Sequence, residues 1–328
     1  MSAAVAGKPS PTRQQEEVPV SRFKLLWPFM IPLVGVLIGA CGTAPSTTTS
    51  SADSFPLTLS TAKGKVTISH RPARIVSLSP TATEDLYSVG AGQQVVAVDS
   101  YSTHPAEAPR TSLSGLTPNI EAIAGYHPDL VLAADDTNNL MSQLGKLHIP
   151  VLVEPPAADL DGVYVEISQI GQATGHSDQA TMTDSGIKQQ VQTILRSAPA
   201  RKAPLSVYHE LDQTYYSATT HTFVGYIYKL LGLQNIADRT PGSSGYPQLS
   251  AEYIISANPD LIVLADTVCC NQTAATVKAR SGWGVIKAVQ TGAVVPVNDD
   301  VASQWGPRIV LFVRAVADAL NAMPKPTT

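Results

Sequence analysis

Two stretches of this chain follow one pattern of residue types without a gap. Residues 120–135 read IEAIAGYHPDLVLAAD, and residues 251–266 read AEYIISANPDLIVLAD. Each copy follows a residue that can cap a helix, carries a glutamate in the first turn, and turns at Pro-Asp into an apolar run without polar alternation. Such a run is typical of a strand covered on both faces. The repeat therefore predicts two related α/β lobes; the alternative is a chance likeness between two helix–strand units.

Composition narrows the class of function. The chain has 328 residues, enough for one large or two medium domains, and a formal net charge of −4. A chain of this charge lacks the basic face that a nucleic-acid partner would need. It shows no glycine-rich phosphate loop, and its Ser, His and Asp residues follow no diagnostic order, so we expect neither an enzyme nor a cofactor. No metal site is expected either; the alternative is one built from His104, His209 and His221.

Residues 1–41 predict a targeting segment rather than part of the fold. Basic residues precede an apolar run at 25–40 that is short for a transmembrane helix and ends at Cys41. The small residues before Cys41 resemble the bacterial lipobox, in which the cysteine is lipidated and becomes the mature amino terminus. The alternative is an uncleaved signal anchor. Residues 42–54 are rich in Thr, Ser, Ala and Pro, which predicts a flexible tether from a lipid anchor on the extracytoplasmic face of the cell membrane.

The folded part is predicted to consist of two lobes and a connecting helix. Short helices alternate with apolar strands on both sides of the chain's middle, which indicates a parallel sheet in each lobe. We expect the amino-terminal lobe at 55–176 and the carboxy-terminal lobe at 199–328. Apolar residues at near-helical spacing predict one long interlobe helix at 177–198. The alternative for that segment is an ordinary surface helix of one lobe.

The parallel sheet also predicts where a ligand binds. Ligands of such sheets lie outside the carboxyl ends of the strands, which in the first lobe selects the loops at 79–81, 101–104 and 135–138. Thr81 is predicted to cap the helix that follows the first of these loops. Glu84, three residues later, would complete a capping box.

Three motifs of the first lobe resemble a known family. They read RIVSLSPTATE at 74–84, DSYSTHP at 99–105 and NIEAI…PDLV at 119–131, and DDVASQWGPR at 299–308 adds a fourth. These motifs resemble the cobalamin- and iron-chelate-binding proteins of bacterial ABC importers, most of all the cobalamin-binding members. The resemblance implies an α/β fold of the class III periplasmic-binding-protein type. In that fold two Rossmann-like lobes with parallel central sheets are joined by one long helix, and the ligand cleft lies between them.

The resemblance also gives a role to the glutamates of the repeat. It implies that one surface glutamate on each lobe docks to arginines of the membrane permease, and the matching positions here are Glu121 and Glu252. The alternative is that these acids only offset the dipoles of their helices, each by roughly 0.3–1 kcal/mol.

Aromatic and polar residues of the loops are the candidate ligand contacts. Aromatic groups on opposing loops can hold a large, mostly uncharged ligand by area burial and stacking. Packing in the core is the alternative for any single aromatic residue, and most of all for Phe223. The expected contacts are Pro80, Tyr101, His104, Tyr215, Tyr216, Thr219, Phe223, Tyr246, Trp305 and Arg308.

Together these features predict a monomeric lipoprotein that carries a cobalamin-type corrinoid to an ABC permease and its ATPase. One alternative is a ferric siderophore or haem as the ligand. Anionic iron chelates call for several cationic contacts. The presumed cleft loops offer mainly Arg308, with Arg239 and Arg110 less directly placed. An alternative of another class is a surface lipoprotein that acts as a sensor or adhesin without transport.

Two adjacent cysteines, Cys269 and Cys270, follow the second copy of the repeat. In an exported protein such neighbours can form a vicinal disulfide, which would place a stiff apolar plate near the cleft. The alternative is two free thiols.

Overall fold

The computed structural model describes residues 53–199, 203–240 and 245–323. The predicted targeting segment with Cys41, and the predicted tether up to Ala52, lie outside the described residues. Within the described ranges, no helix combines the length and the apolar character that crossing a bilayer requires.

Two parallel sheets with the same strand order form the two lobes. An antiparallel hairpin, β1 (Leu57–Thr61) and β2 (Gly64–Ile68), precedes them. The first sheet has the order β4-β3-β5-β6 and the second the order β8-β7-β9-β10, so each lobe places its first strand inside and its second strand at one edge. The strands are β3 (Ile75–Ser77), β4 (Val95–Val98), β5 (Leu130–Ala133), β6 (Val151–Val153), β7 (Ser206–Glu210), β8 (Gln234–Asn235), β9 (Leu261–Leu264) and β10 (Val294–Pro296). The predicted pair of parallel α/β lobes is thus confirmed.

The helices cover the faces of these sheets and connect their strands. Those up to the middle of the chain are α1 (Pro80–Ser88), α2 (Ile120–Ala124), α3 (Leu140–Gly145), α4 (Leu160–Thr174) and α5 (Ser177–Ser197). The remaining helices are α6 (Phe223–Leu230), α7 (Ala251–Ala257), α8 (Ala274–Lys278), α9 (Lys287–Thr291), α10 (Asp299–Ser303) and α11 (Ile309–Ala322). The repeat's helices α2 and α7 are capped alike, because the side chains of Asn119 and Ser250 each accept a bond from a backbone N–H of the first turn.

The Pro-Asp of each repeat fastens its turn to the first strand of its lobe. The Asp129 carboxylate accepts bonds from the backbone N–H groups of Ala73 and Arg74, both at 2.9 Å. The Asp260 carboxylate accepts bonds from the backbone N–H of Ser206 at 2.8 Å and from its hydroxyl at 2.9 Å. In each lobe this aspartate therefore fixes the start of the third strand next to the start of the first strand.

One long helix and one continuous apolar core join the lobes. The 21 residues of α5 span about 30 Å at the usual rise. This helix packs against α1 and α4 on the side of the first lobe and against α11 of the second. Its buried face, which includes Ile187, Val191 and Ile194, belongs to a cluster that contains strand residues of both sheets. The predicted interlobe helix therefore packs against helices of both lobes and is not an ordinary surface helix of one lobe.

The cap of α1 differs from the prediction. Ser79 precedes the helix, with Pro80 in its first turn, and its hydroxyl accepts a bond from the backbone N–H of Ala82 at 3.3 Å. Thr81 thus lies inside the first turn, so the predicted capping box is wrong. Glu84 is free to bond elsewhere, and its partner lies in the other lobe.

Candidate functional site

A groove of about 460 Å³ opens at the carboxyl ends of the first lobe's strands. Its walls come from the loops after β3, β4 and β5, which are the three loops expected from the sheet, and from residues 300–305 of the second lobe. Of the predicted contacts, Pro80, Tyr101 and Trp305 line it. A groove lined by residues of both lobes therefore lies at the carboxyl edge of the sheet, where ligands of such sheets bind.

A network of buried hydroxyl groups lies behind Asp99, which lines the groove. The Thr83 hydroxyl donates to the Ser77 hydroxyl at 2.8 Å and lies 2.9 Å from that of Ser102. Ser102 in turn donates its hydroxyl to the Asp99 carboxylate at 2.6 Å. Burial raises the pKa of Asp99, although the bonds from Ser102 act against that shift. These groups bond one another in the buried layer behind the groove lining.

The rim is apolar, with acidic groups beside it. Tyr101 is 59% exposed and Leu116 is 71% exposed, so two large apolar side chains stand open to solvent at the groove. Sequence reasoning missed Leu116, whose signal was a lone leucine within a polar turn. Asp135 also lines the groove, and the ion pair with Lys63 at 3.0 Å lowers its pKa. None of the described residues that line the groove is a lysine, an arginine or a histidine.

Residues 298–308, here called the groove loop although they include the short helix α10, form one part of the second lobe that contacts the first. At one end, the Asp299 carboxylate accepts bonds from the backbone N–H groups of Val268 at 2.9 Å and Cys269 at 2.7 Å, both in the second lobe. The next residue, Asp300, accepts a bond at 2.6 Å from the hydroxyl of Thr103 in the first lobe. The groove loop is therefore attached to both lobes within two consecutive residues.

The far end of the groove loop is held by two further contacts to the first lobe. The Trp305 indole N–H donates to the Glu166 carboxylate of α4 at 2.6 Å. Arg308 donates to Glu84 of α1 through two guanidinium nitrogens, with its Nε 2.9 Å from both carboxylate oxygens. Glu84 and Arg308 are only slightly exposed, so this ion pair is largely shielded from solvent. Arg308 thus serves as an interlobe partner rather than an unpaired cation for a ligand.

Three buried acids, Asp85, Glu154 and Glu166, and the half-buried Asp184 lie around this joint. Burial raises the pKa of Asp85 well above its ordinary value, and the charge of Glu166 adds to the effect. Burial also raises the pKa of Glu166 to about 8, against the bond from Trp305. The pKa of Glu154 rises to about 8 and that of Asp184 to about 6, again mainly through burial. Protons are therefore retained in this cluster near neutral pH.

The second lobe has a charged cluster at the carboxyl end of its own sheet. Arg280 donates to both oxygens of Glu210, at 2.6 and 2.5 Å, and its guanidinium lies 4.5 Å from the centre of the Trp283 ring. Tyr215, a predicted contact, packs against Trp283 with ring centres 5.6 Å apart. Burial, and then the charge of Glu210, raises the pKa of Asp266 to about 7. Like Arg308, Arg280 is therefore bonded to a carboxylate of the protein and is not an unpaired cation for a ligand.

The other predicted contacts are spread over the molecule. His104 is exposed on the loop after β4, and Tyr216 and Tyr246 are exposed on the second lobe. Thr219 is buried, and its carbonyl accepts the bond of the Thr222 hydroxyl at the start of α6. Phe223 is buried in the core that the two lobes share, which is the alternative that the sequence left open for it.

The histidine and cysteine candidates are resolved in different ways. His209 is fully buried, with its Nδ1 2.6 Å from the Tyr228 hydroxyl, and burial lowers its pKa to about 3. Within the described residues no group of three or more His, Cys, Asp or Glu side chains could hold a metal ion. The sulfur atoms of Cys269 and Cys270 are joined in a disulfide on the loop after β9.

Glu121 and Glu252 occupy equivalent places in the two lobes. Both are exposed and lie in the first turn of α2 and α7, the helices that lead into the third strand of each sheet. The two carboxylates are therefore exposed to solvent at matching positions of the two lobes.

Comparison with known proteins gives the same fold and one consistent family. A family model described as periplasmic binding protein matches residues 75–301. A cobalamin-binding protein of Halobacterium salinarum is 34% identical over 299 residues, which cover 86% of this chain and 80% of that protein. An uncharacterized ABC transporter substrate-binding lipoprotein of Bacillus subtilis, YvrC, is 31% identical over 310 residues, covering 90% and 96%. The solved periplasmic heme binding protein HutB of Vibrio cholerae matches with a TM-score of 0.66 at 24% identity, covering 75% of this chain and 98% of that one.

Proposed function

The chain belongs to the periplasmic binding protein family, and from that premise we propose that it captures a cobalamin-type corrinoid and delivers it to the permease of an ABC importer. The observation that carries the choice of ligand is the chemistry of the groove. Its rim offers large exposed apolar side chains, and no cation stands among the described residues that line it. A bulky ligand with neutral amide side chains fits such a surface, because burial and stacking supply the affinity without charge pairing.

Calorimetry tests this ligand directly. The full chain in detergent is titrated with cobalamin, with haem and with a ferric siderophore under the same conditions. We expect binding to cobalamin and much weaker binding to the two anionic ligands. Absence of cobalamin binding would refute the proposed ligand, and strong binding of either iron ligand would replace it.

Haem is the second candidate, and one observation favours it. The exposed phenol of Tyr101 at the groove rim, with the exposed imidazole of His104 on the same loop, could supply an axial ligand to a haem iron. Two propionates would, however, meet Asp135 and Asp300 rather than cations at the groove. Titration of Tyr101→Phe with haem and cobalamin separates the two, since only haem binding depends on the phenol oxygen.

Docking to the permease is proposed to run through Glu121 and Glu252. Their equivalent, exposed positions in two related lobes suit a permease with two related halves, and such charges set orientation and on-rate more than affinity. The double reversal Glu121→Lys with Glu252→Lys is expected to abolish uptake while ligand affinity stays unchanged. The matched control is Asp161→Lys with Asp178→Lys, two exposed acids in the first turns of α4 and α5. Weakened ligand binding in the Glu121 and Glu252 double variant would contradict docking, as would equal loss of uptake in the control.

The membrane anchor and the layout of the chain complete the proposal. We place a signal peptide at 1–41, a tether at 42–54, lobes at 55–176 and 199–328 and the interlobe helix at 177–198, with a diacylated Cys41 holding a monomer on the extracytoplasmic face. Cys41→Ser should release the protein from membranes or leave its leader uncleaved, as fractionation and mass spectrometry would show. A sensor or adhesin without transport would instead lack neighbouring genes for a permease and an ATPase. No catalytic activity is part of the proposal.

A further inference from the structure

Trp305 belongs to one lobe but is held by the other. It lies in the groove loop of the second lobe and forms part of the groove wall. Its indole N–H donates to the carboxylate of Glu166, on α4 of the first lobe, at 2.6 Å. The orientation of this ring in the groove is therefore set by a side chain that does not line the groove.

Glu166 is buried, and burial of a carboxyl group costs free energy unless hydrogen bonds or charges compensate for the lost water. Its side chain is 3% exposed, and its second oxygen, Oε1, has no hydrogen-bond partner. Desolvation of a polar group without full compensation costs roughly 1–3 kcal/mol. Trp305 is the hydrogen-bond donor that the structure shows for this carboxylate.

Among the described residues, no cation is shown to offset the acid. The ionisable groups that act on Glu166 are themselves acids, Asp85 on α1 and Glu154 after β6. The nearby bases are engaged elsewhere, since Arg308 pairs with Glu84 and the Lys188 amino group lies 4.2 Å from the ring centre of Tyr164. Glu166 is therefore not the partner of a buried ion pair.

We propose that Glu166 is a positioning residue for the ligand: it fixes the Trp305 ring as a wall of the groove from the opposite lobe. The proposal rests on the proposed function only for the identity of the ligand. Because the bond crosses between the lobes, the ring keeps its place only while α4 and the groove loop keep theirs. Ligand affinity is thereby tied to the arrangement of the two lobes.

The first test follows the ring itself and needs no ligand. The full chain is labelled with 5-fluorotryptophan, and the ¹⁹F signal of Trp305 is assigned by its loss in Trp305→Phe. In Glu166→Leu, which removes the acceptor, the Trp305 signal is expected to shift and broaden. In Glu166→Gln, whose amide oxygen can accept the same bond, the signal should return close to its original position. An unchanged signal in folded E166L would overturn the proposal.

A matched variant separates positioning from general damage to the acid cluster. Glu154 is also buried with a raised pKa, and the structure shows no hydrogen bond between it and Trp305. Glu154→Leu is therefore expected to change stability while the Trp305 signal stays in place. If E166L does not fold, as judged by circular dichroism, Glu166→Asp replaces it, because shortening the side chain by one methylene withdraws the acceptor but keeps the acid. A Trp305 signal that moves as much in E154L as in the Glu166 variant would assign the effect to loss of the cluster.

The second test joins the ring to binding. By calorimetry with cobalamin, E166L is expected to lose about tenfold in affinity, the loss that one hydrogen bond accounts for, and E166Q to restore most of it. In the Trp305→Phe background, E166L should cause no further loss, because the ring no longer has an N–H to hold. Equal losses in both backgrounds would overturn the proposal. Failure of the unmodified chain to bind cobalamin would refute the proposed function instead, and the ligand-free ¹⁹F signal would still decide the role of Glu166.

Discussion

The two lobes share a scaffold and differ at the edge that faces the ligand. Both sheets have the same strand order, both repeat helices are capped alike, and both Pro-Asp turns are fastened by an aspartate to the start of the first strand. At the carboxyl edge the first lobe carries hydroxyl groups around Thr83, whereas the second carries the ion pair of Arg280 and Glu210 beside Asp266. The repeat therefore marks the parts that build the lobes, and the chemistry of each lobe lies where the repeat ends.

The difference also decides where charge can be used. In the first lobe the buried hydroxyls bond one another behind a groove with an apolar rim. In the second lobe Arg280 bonds Glu210 and Gln272 and stacks on the Trp283 ring, so its charge is paired within the protein. A comparison of matched substitutions in the two lobes shows whether this division is real.

The largest effect is expected from the charged edge. Arg280→Met leaves Glu210 and Asp266 buried without a cation, and breaking such a pair typically destabilises by about 3–5 kcal/mol. Its counterpart in the first lobe, Thr83→Val, removes hydroxyl bonds only and should cost about 1–3 kcal/mol. Urea unfolding of the full chain measures both. Equal losses would mean that the two edges are energetically alike despite their chemistry.

The shared scaffold predicts equal rather than unequal effects. Asp129→Ala and Asp260→Ala each remove a carboxylate that accepts two bonds from the start of a first strand, with an expected loss of about 1.5–3 kcal/mol in each case. Lys287, which also bonds Asp260, is half exposed and adds little. Urea midpoints that differ by more than the Lys287 pair explains would break the equivalence of the lobes.

The raised pKa values of one buried acid in each lobe predict that the free energy of unfolding depends on pH. Burial raises the pKa of Glu154 from 4.5 to about 8 and that of Asp266 from 3.8 to about 7. Because the folded state keeps protons that the unfolded chain releases, this stability is complete below the unfolded pKa values and is lost as the pH rises towards 7 and 8.

Glu154→Gln and Asp266→Asn should therefore each flatten the fall in unfolding free energy over that range. The change is at most about 1.4 kcal/mol per pH unit for each group. Urea unfolding at a series of pH values measures it. His209, with its pKa lowered to about 3, contributes the opposite slope in every variant and cancels in the comparison. Slopes identical to the unmodified chain would show that these acids are already ionised when folded.

The smallest effect is expected from the disulfide, which has no counterpart after β5 in the first lobe. Cys269→Ala with Cys270→Ala should lower stability by only about 1 kcal/mol, since the loop that the bond closes is as short as a loop can be. Alkylation followed by mass spectrometry should label both thiols only after reduction. Labelling without a reductant would show two free thiols instead.

Local patterns in the sequence were enough to predict the two lobes but not the side-chain contacts between them. Apolar runs and Pro-Asp turns predicted the third strands of both sheets, and the carboxyl-edge rule predicted the loops that line the groove. The bonds from Trp305 to Glu166 and from Arg308 to Glu84 join residues 139 and 224 positions apart, and no periodicity carries such information. The same limit explains Phe223, whose residue type suits a ligand contact and a core position equally.

The continuous apolar core has a consequence for how far the two lobes can separate. Because one cluster contains side chains of both sheets and of α5, apolar contacts run without interruption from one lobe to the other. Separation of the lobes would expose this apolar surface to water, at a cost of about 25 cal/mol for every square ångström. The free energy of opening therefore rises with the apolar area that the movement uncovers.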